Sequence, residues 1–357
     1  MKLPVLIVCA IALPASAQSP YDDIWSSRSL YTSTDNKYLQ SLNLSGRAQA
    51  DSVYYDADQG NYDSTRWRRF RFGFAADVMQ SGVVRLEGDF DLNNKPDSSY
   101  RRLTDAHFEW QFENDWKLTL LKQSAGFTLD GATSSKRLLT PERNALTHNL
   151  WFTAEYFTGV DLKGDCGDKW KCRAGIYSSD GNDEISKFNA SYFSLLSASV
   201  ELGKLNMRLD YIHNDKDDAV NTRHFNDVVS LVGHWENGRW GLSTDISGAL
   251  GWESQGDVLG VVVMPWWMQT PQLQWVARYT YLTSSDDNGL RLNRYDRNIV
   301  SGRGNEYHEL YAGLNWYFYG HKLKWQNGLQ YSDMQDDARD GGKYQGWGIT
   351  SGLRVYW

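Results

Sequence analysis

Lys136, Arg137 and Arg143 fall within one short stretch, Thr133–Asn144, which reads T-S-S-K-R-L-L-T-P-E-R-N. Arg69, Arg71, Arg85, Arg173, Arg208 and Arg278 occupy one parity of segments in which apolar and polar residues alternate. Guanidinium and ammonium groups need no cofactor to attract and orient anions. They do so most strongly where a planar guanidinium meets an anion carrying two oxygens. Covalent chemistry is harder to find. Nucleophilic catalysis needs a nucleophile, a base and an orienting group in hydrogen-bond reach, yet the histidines (His107, His148, His213, His224, His234, His308, His321) lie near segment ends or in connections. There is no G-x-S-x-G elbow and no H-E-x-x-H pair. Glu87 and Asp89 share a face as a possible acid pair, but two carboxylates at i, i+2 are also plain polar lining. No catalytic residue, cofactor or metal is expected.

The elements that must position these cations are strands. Residues 345–357 place Trp347, Ile349, Leu353, Val355 and Trp357 on one parity and Gly348, Thr350, Gly352, Arg354 and Tyr356 on the other. This period of two marks a strand with one apolar and one polar face. From about residue 39 the chain repeats such segments, each roughly 9–13 residues long, the length that crosses a bilayer when tilted. Sixteen are predicted. Short turns at 79–81, 114–115, 203–204, 237–238, 270–271 and 319–320 alternate with long polar connections at 55–65, 93–103, 127–151, 214–225, 284–305 and 333–344. An even number of strands with short turns on one side and long loops on the other is the pattern of an outer-membrane barrel. Aromatic residues make up 14% of a chain whose mean hydropathy is only -0.58, as aromatic girdles around alternating strands would give.

Strand parity then assigns faces. Phe70, Phe72, Phe74 and Ala76 face lipid while Arg69 and Arg71 face the lumen, and strict parity puts Arg68 outside. Val84, Leu86 and Phe90 oppose Arg85, Glu87, Asp89 and Asp91; Arg173, Arg208, Asp210, Arg278, Lys324 and Arg354 face inward. A charge on the lipid face costs about 2–4 kcal/mol at mid-membrane, so register is firmly set. Segments 189–202, 226–236 and 257–268 alternate poorly, and Val261–Met268 is apolar on both parities, which suggests a subunit contact. The connection 127–151, folded inward, would bring Lys136, Arg137 and Arg143 to the narrowest point, where low-dielectric walls focus their field.

Residues 1–17 read as a secretory signal, with Lys2, an apolar core and an Ala15-Ser16-Ala17 cleavage site; Cys9 lies inside it. Residues 18–38 read as a loose periplasmic lead-in, and 39–357 as the barrel. Cys166 and Cys172 flank a hairpin turn and could bridge it in an oxidising compartment; no further ligands support zinc there. The formal charge of -7 and the lack of a basic patch with interleaved aromatics exclude nucleic acid as a partner.

The sequence resembles the phosphate-selective porins O and P. The likeness rests on R-W-R-R-F-R-F-G (Arg66–Gly73), on K-Q-S-A-G-F-T-L-D-G-A-T-S-S-K-R-L-L-T-P-E-R (Lys122–Arg143), on N-W-Y-F-Y-G-H-K-L-K-W-Q (Asn315–Gln326), and on the terminal G-L-R-V-Y-W (Gly352–Trp357). The resemblance implies a sixteen-stranded, usually trimeric channel in the outer membrane of a Gram-negative bacterium, with an inward-folded third loop and cations that guide anions. Its partners would be small anions or other hydrophilic solutes, with outer-membrane lipid and lipopolysaccharide outside. Arg68 and Arg69 match the family's paired arginine, Arg143 the arginine closing the loop motif, and Lys136 and Arg137 the positions after the double serine. The family's phosphate-gripping members carry a dense arginine ladder. Here Arg85 sits among Glu87, Asp89 and Asp91, and Arg208 beside Asp210, so a modest anion preference is expected. The alternatives are a barrel enzyme of lipase or protease type, and a receptor barrel whose charged loops bind a partner.

Overall fold

Antiparallel strands close into a sixteen-stranded barrel in a computed structural model that describes residues 20–93, 99–152 and 155–357. In chain order they are β1 (Leu39–Ala57), β2 (Gly60–Val78), β3 (Gly82–Phe90), β4 (Tyr100–Gln111), β5 (Lys117–Ser124), β6 (Tyr156–Gly167), β7 (Trp170–Ser178), β8 (Tyr192–Leu202), β9 (Leu205–Asn214), β10 (Phe225–Asn237), β11 (Trp240–Gly251), β12 (Val258–Thr270), β13 (Leu273–Ser284), β14 (Glu306–Tyr319), β15 (Leu323–Gln335) and β16 (Tyr344–Tyr356). Each pairs with the next. The ring closes where β16 pairs with β1, from Gly346 opposite Ala57 to Tyr356 opposite Arg47. Closure matters because an open edge in hydrocarbon would leave backbone N–H and C=O groups without partners. The turns on one side are tight, with Gly203 and Gly238 at φ 64° and 63°, a left-handed conformation that glycine adopts without strain.

The predicted alternation of short turns and long connections holds with one exception. Residues 55–65 are not a loop: β1 and β2 continue to a turn at Asp58-Gln59, with Ala57 opposite Gly60. Asp56, Asn61, Asp63 and Ser64 make this hairpin tip read as loop by composition. Beyond the hydrocarbon, however, a strand ladder tolerates polar side chains on both faces, as the Ser52–Thr65 hydroxyl pair at 3.0 Å illustrates.

Residues 20–38 are also not loose. Helix α1 (Pro20–Ser26) packs on the short-turn end of the barrel: Trp25 is buried and donates from Nε1 to the Tyr356 carbonyl at 2.6 Å, and its ring lies 5.1 Å from that of Tyr319. Residues Ser29–Thr32 then pair with the start of β1. The signal stretch 1–17, with Cys9, lies outside the described residues.

Outward faces carry exposed Phe72, Phe74, Val84, Leu86, Leu209, Leu231, Leu259, Trp347 and Ile349, as parity predicts. The inward faces divide the barrel in two. On β1–β4 they are polar: Arg47, Gln49, Asp51, Arg69, Arg71, Glu87, Asp89 and Thr104 are buried there. On β8–β13 they are largely apolar, with Phe193, Leu195, Ile212, Val228, Val232, Ala249, Val258, Val262, Met264, Val276 and Leu282 in one buried cluster. Their partners are Phe127, Leu129, Ala145, Leu146, Leu150 and Phe152 of the long connection 125–155, whose helix α2 (Ala145–Leu150) is capped by Asn144 accepting from the Thr147 N–H at 2.7 Å. This corrects the suggestion that the two-sided apolarity of Val261–Met268 marks a subunit contact. The second apolar face of β12 is covered from inside by the folded-in connection.

Candidate solute path and its constriction

The connection 125–155 is the third on the long-loop side, and polar side chains pin it around the inner wall. Arg47 and Gln49 on β1 donate to Ser135 Oγ (2.8 Å) and to the Ser135 carbonyl (3.1 Å). Asp210 on β9 and Asp245 on β11 accept from the N–H groups of Thr128 (3.2 Å) and Leu129 (2.7 Å). Gln326 and Asn315 hold the Leu138 and Leu139 carbonyls at 3.1 and 2.8 Å, and Arg354 holds that of Pro141 at 3.2 Å. A loop segment inside a barrel must have its backbone groups satisfied by something other than bulk water. The lumenal polar residues meet that need.

This geometry sorts the sequence-predicted cations into two groups. Arg173 pairs with Asp161 at 2.6 Å and donates to the Gly126 carbonyl. Arg208 pairs with Asp210 at 2.9 Å and donates to the Thr128 carbonyl. Arg278 pairs with Glu309 at 2.8 Å and donates to Thr140 Oγ1. Arg143, itself on the loop, donates to the Asp130 carbonyl at 2.8 Å and lies over the Trp151 ring. Arg71 is 1% exposed, 3.5 Å from Asp89 and 3.9 Å from Glu155, and over the Tyr156 ring. Each of these guanidiniums is engaged with acids, carbonyls or rings.

The second group is differently placed. Arg69 is buried and donates to the Gln49 amide oxygen at 2.9 Å. The Arg85 Nε is buried without a hydrogen-bond partner. Lys136 places its ammonium 5.0 Å over the Tyr356 ring, and Arg137 is exposed. Among the described residues, no carboxylate oxygen lies within 4.0 Å of the charged nitrogens of these four. Lys136 belongs to the loop rather than to a membrane-spanning strand. Burial lowers its pKa to about 8; Arg47 and Arg85 push the same way, while Glu87 and Asp105 oppose them. Burial by itself would raise the carboxyl of Glu155, also on the loop, but Arg143, Arg71 and Arg102 hold it well below the usual range.

Arg68 corrects the parity argument. Between the pairs Gln49–Arg69 and Ala50–Trp67 the ladder shifts register, and Arg68 is the extra residue. A bulge re-aims a side chain. Here it turns Arg68 inward, onto the loop carboxylate of Glu142, with Nη2 2.9 Å from Oε2. Sequence reasoning also passed over Arg47, which pairs with Glu87 at 3.0 Å; its shared parity with Gln49 and Asp51 was the available signal. Arg102 lies 3.7 Å from both Asp89 and Glu155. Arg294, in the connection 285–305, lies 3.4 Å from Glu142, and no periodicity in that connection marks it.

Of the chambers along the pinned loop, two lie on opposite walls. On the long-loop side, about 290 Å³ is lined by Arg66, Arg68, Arg69, Arg71, Arg101, Arg102 and Arg294, with Asp89, Asp91, Glu155 and Asp183. On the short-turn side, about 710 Å³ lies beneath the loop on the opposite wall, with Arg137, His321, Trp266 and Met268 among its lining. Cys166 and Cys172 lie away from both chambers and are joined by a disulfide across the hairpin of β6 and β7, Cα atoms 5.8 Å apart.

A closed sixteen-stranded barrel with an apolar skin, charged inner walls and a loop folded across the lumen defines an outer-membrane channel. The chain belongs to the phosphate-selective porin O and P family, whose model matches residues 42–239. The protein is accordingly a porin of the outer membrane of a Gram-negative bacterium. Among solved structures, the fold is similar to the anion-selective porin from Comamonas acidovorans (12% identity, 88% of this chain and 99% of that one, TM-score 0.64). It is also similar to the outer membrane channel DcaP of Acinetobacter baumannii (14% identity, 92% and 99%, TM-score 0.60). A third similar structure is the trimer form of OmpT, an outer membrane protein of Vibrio cholerae (13% identity, 88% and 99%, TM-score 0.57). A comparison with curated proteins finds no match.

Proposed function

We propose that the protein is a passive diffusion channel for small hydrophilic solutes with a modest preference for anions. The observation that carries this reading is the uneven pairing of the lumenal charges. Arg69, Arg85, Lys136 and Arg137 stand without a carboxylate within 4.0 Å among the described residues, whereas Glu87, Asp89, Glu142 and Glu155 each have an arginine within that distance; Asp105, 3.6 Å from His107, is the acid beside them that does not. Paired charges cancel over a few ångströms, so the field left in the path is that of the four unpaired cations less the single charge of Asp105, focused by the low-dielectric wall. The preference stays modest because Arg71, Arg143, Arg173, Arg208 and Arg278, expected from the sequence to guide anions, are held by acids and loop carbonyls and offer no free fork to a phosphate. No covalent step and no cofactor is required, and weak binding suits transit because a solute must also leave.

We further propose a homotrimer, the form of the similar Vibrio cholerae OmpT structure. The outer wall over β15 and β16 carries the polar side chains of Asn327 and Ser351, the latter accepting from Trp325 Nε1 at 2.8 Å. A neighbouring subunit covers such a wall better than acyl chains do.

The experiment is a planar-bilayer reversal potential across a salt gradient, followed by block titrations with phosphate, pyrophosphate and a neutral sugar. A reversal potential on the anion side with weak phosphate block is expected. Strong cation selectivity would overturn the reading. Native mass spectrometry of the detergent-extracted protein reads the trimer; a monomer alone would remove that part.

A further inference from the structure

The chamber on the short-turn side is built unlike the rest of the lumen. Trp266, on β12, points inward and lies flat against the wall over Gly241 of β11, so close that a Cβ there would sit 2.0 Å from the indole. Met264 and Met268, two residues to either side on the same inner face, flank the ring, and the loop contributes Leu138 from above. A polarisable, water-accessible apolar shelf of this kind is foreign to a path for hydrated ions, where apolar lining only slows transit. It is the lining of a small-molecule site: mostly apolar walls with a few placed polar groups. Of the polar side chains that line it, His234, Ser243, Gln274, Tyr317 and His321 among them, the arginine is Arg137. Its guanidinium is exposed into the chamber and has no carboxylate within 4.0 Å among the described residues. Of the acids lining the chamber, Asp130 is engaged by the Asn144 N–H and amide, both at 2.8 Å, while Glu236 is exposed near the mouth of the chamber.

We propose that this chamber is a binding site for an aromatic monocarboxylate entering from the short-turn mouth, its ring on the Trp266–Met268 shelf and its carboxylate on Arg137. The chamber, about 710 Å³, has room for a single-ring acid and its water. Stacking on an indole and contact with methionine sulfur favour an aromatic ring over an alkyl chain of equal size. A guanidinium fork favours a carboxylate over an alcohol. Neither group alone would select this class; their placement in one chamber does. The site shares Arg137 with the proposed anion path but does not depend on that path's selectivity.

The test is isothermal titration of the full chain, refolded in detergent, with benzoate, acetate and benzyl alcohol, beside single-channel recordings with the same compounds added to each side in turn. Benzoate is expected to bind at least tenfold more tightly than acetate or benzyl alcohol, and to block from one side only. Trp266→Leu should lower benzoate affinity at least fivefold and leave acetate unchanged. Met268→Glu, which sets a carboxylate in the chamber and keeps the backbone pairing of residue 268 with Gln274, should also abolish benzoate binding. Arg137→Gln should weaken benzoate and acetate together. Equal affinity for benzoate and acetate, or full benzoate binding in Met268→Glu, would overturn the proposal. Because calorimetry does not require conduction, a protein that conducts without binding benzoate sinks this inference alone, and one that binds benzoate without conducting sinks the channel reading alone.

Discussion

Arg278 on β13 and Glu309 on β14 form an ion pair of 2.8 Å, both essentially buried, and the same guanidinium reaches Thr140 Oγ1 of the inward loop at 2.8 Å. One residue thus ties wall to wall and wall to loop. Removing only one partner of such a pair strands a buried charge, at a cost of about 3–5 kcal/mol. Arg278→Ala is therefore expected to lower the thermal unfolding midpoint markedly in detergent and to raise single-channel conductance as the loop loosens. The double replacement Arg278→Met with Glu309→Met should recover much of the stability but not the loop anchoring. An unchanged conductance in Arg278→Ala would show that the loop is held without it.

Anion preference should follow the cations without acid partners rather than the number of arginines. Arg69→Gln combined with Arg85→Gln is expected to shift the reversal potential toward the cation side, changing the permeability ratio by at least about twofold, small beside the roughly 10–10³ that strong field focusing gives to association rates. Arg173→Gln and Arg208→Gln, whose guanidiniums already face Asp161 and Asp210, should shift it less than the Arg69–Arg85 pair does. Equal shifts from both sets, read in the same bilayer measurement, would remove the pairing argument.

Much of this architecture was legible because a barrel strand has only two faces. The Phe70–Arg71–Phe72 and Val84–Arg85–Leu86 alternations leave a single register that keeps charge out of lipid, and the structure adopts it. Three features escaped for physical reasons. Periodicity reports that a face is apolar, not what covers it, so the inward Val258, Val262 and Met264 could not be told from a subunit contact until α2 was seen against them. A bulge adds one residue without a mark in composition, and it reversed Arg68. Composition likewise hid the hairpin tip at Asp58-Gln59, because strand and loop look alike once the chain leaves hydrocarbon. At the constriction, residue types and the loop were found in the sequence, but which arginines keep a free face was set by long-range pairs such as Arg47–Glu87 and Arg68–Glu142. No local pattern records those.

Asp296, in the long connection 285–305, links stability to pH. It accepts from Gln330 Nε2 at 3.1 Å. Burial raises its pKa to about 7; the Glu309 charge adds to this, while the nearby Tyr344 hydroxyl and the hydrogen bond from Gln330 oppose it. A carboxyl whose folded-state pKa lies above its unfolded value binds more protons when folded, so its contribution is full below about pH 4 and is lost as pH rises through 7. Thermal stability is therefore expected to fall between about pH 4 and pH 7 and to level off above it. Asp296→Asn, which cannot ionise, should flatten that slope. An equal slope in the variant would assign the pH dependence to other groups.

Lys136 makes a separate prediction, for selectivity rather than stability. Its pKa near 8, lowered chiefly by burial, means that it is mostly charged at pH 7 and mostly neutral at pH 9. The arginines keep their charge over this range, because a guanidinium titrates only above about 12. If Lys136 contributes to the field in the constriction, the anion preference of the wild type should decline from pH 7 to pH 9 while conductance changes little. Lys136→Arg should keep the preference up to pH 9, and Lys136→Gln should show the reduced value at both. Simultaneous replacement of Lys136, Arg137 and Arg143 by Ala should lower the preference to what Arg69 and Arg85 supply and also raise conductance, the second effect coming from Arg143, which holds the Asp130 carbonyl within the loop. A wild-type reversal potential that stays flat between pH 7 and 9 would place Lys136 outside the filter and leave Arg69 and Arg85 to account for the selectivity.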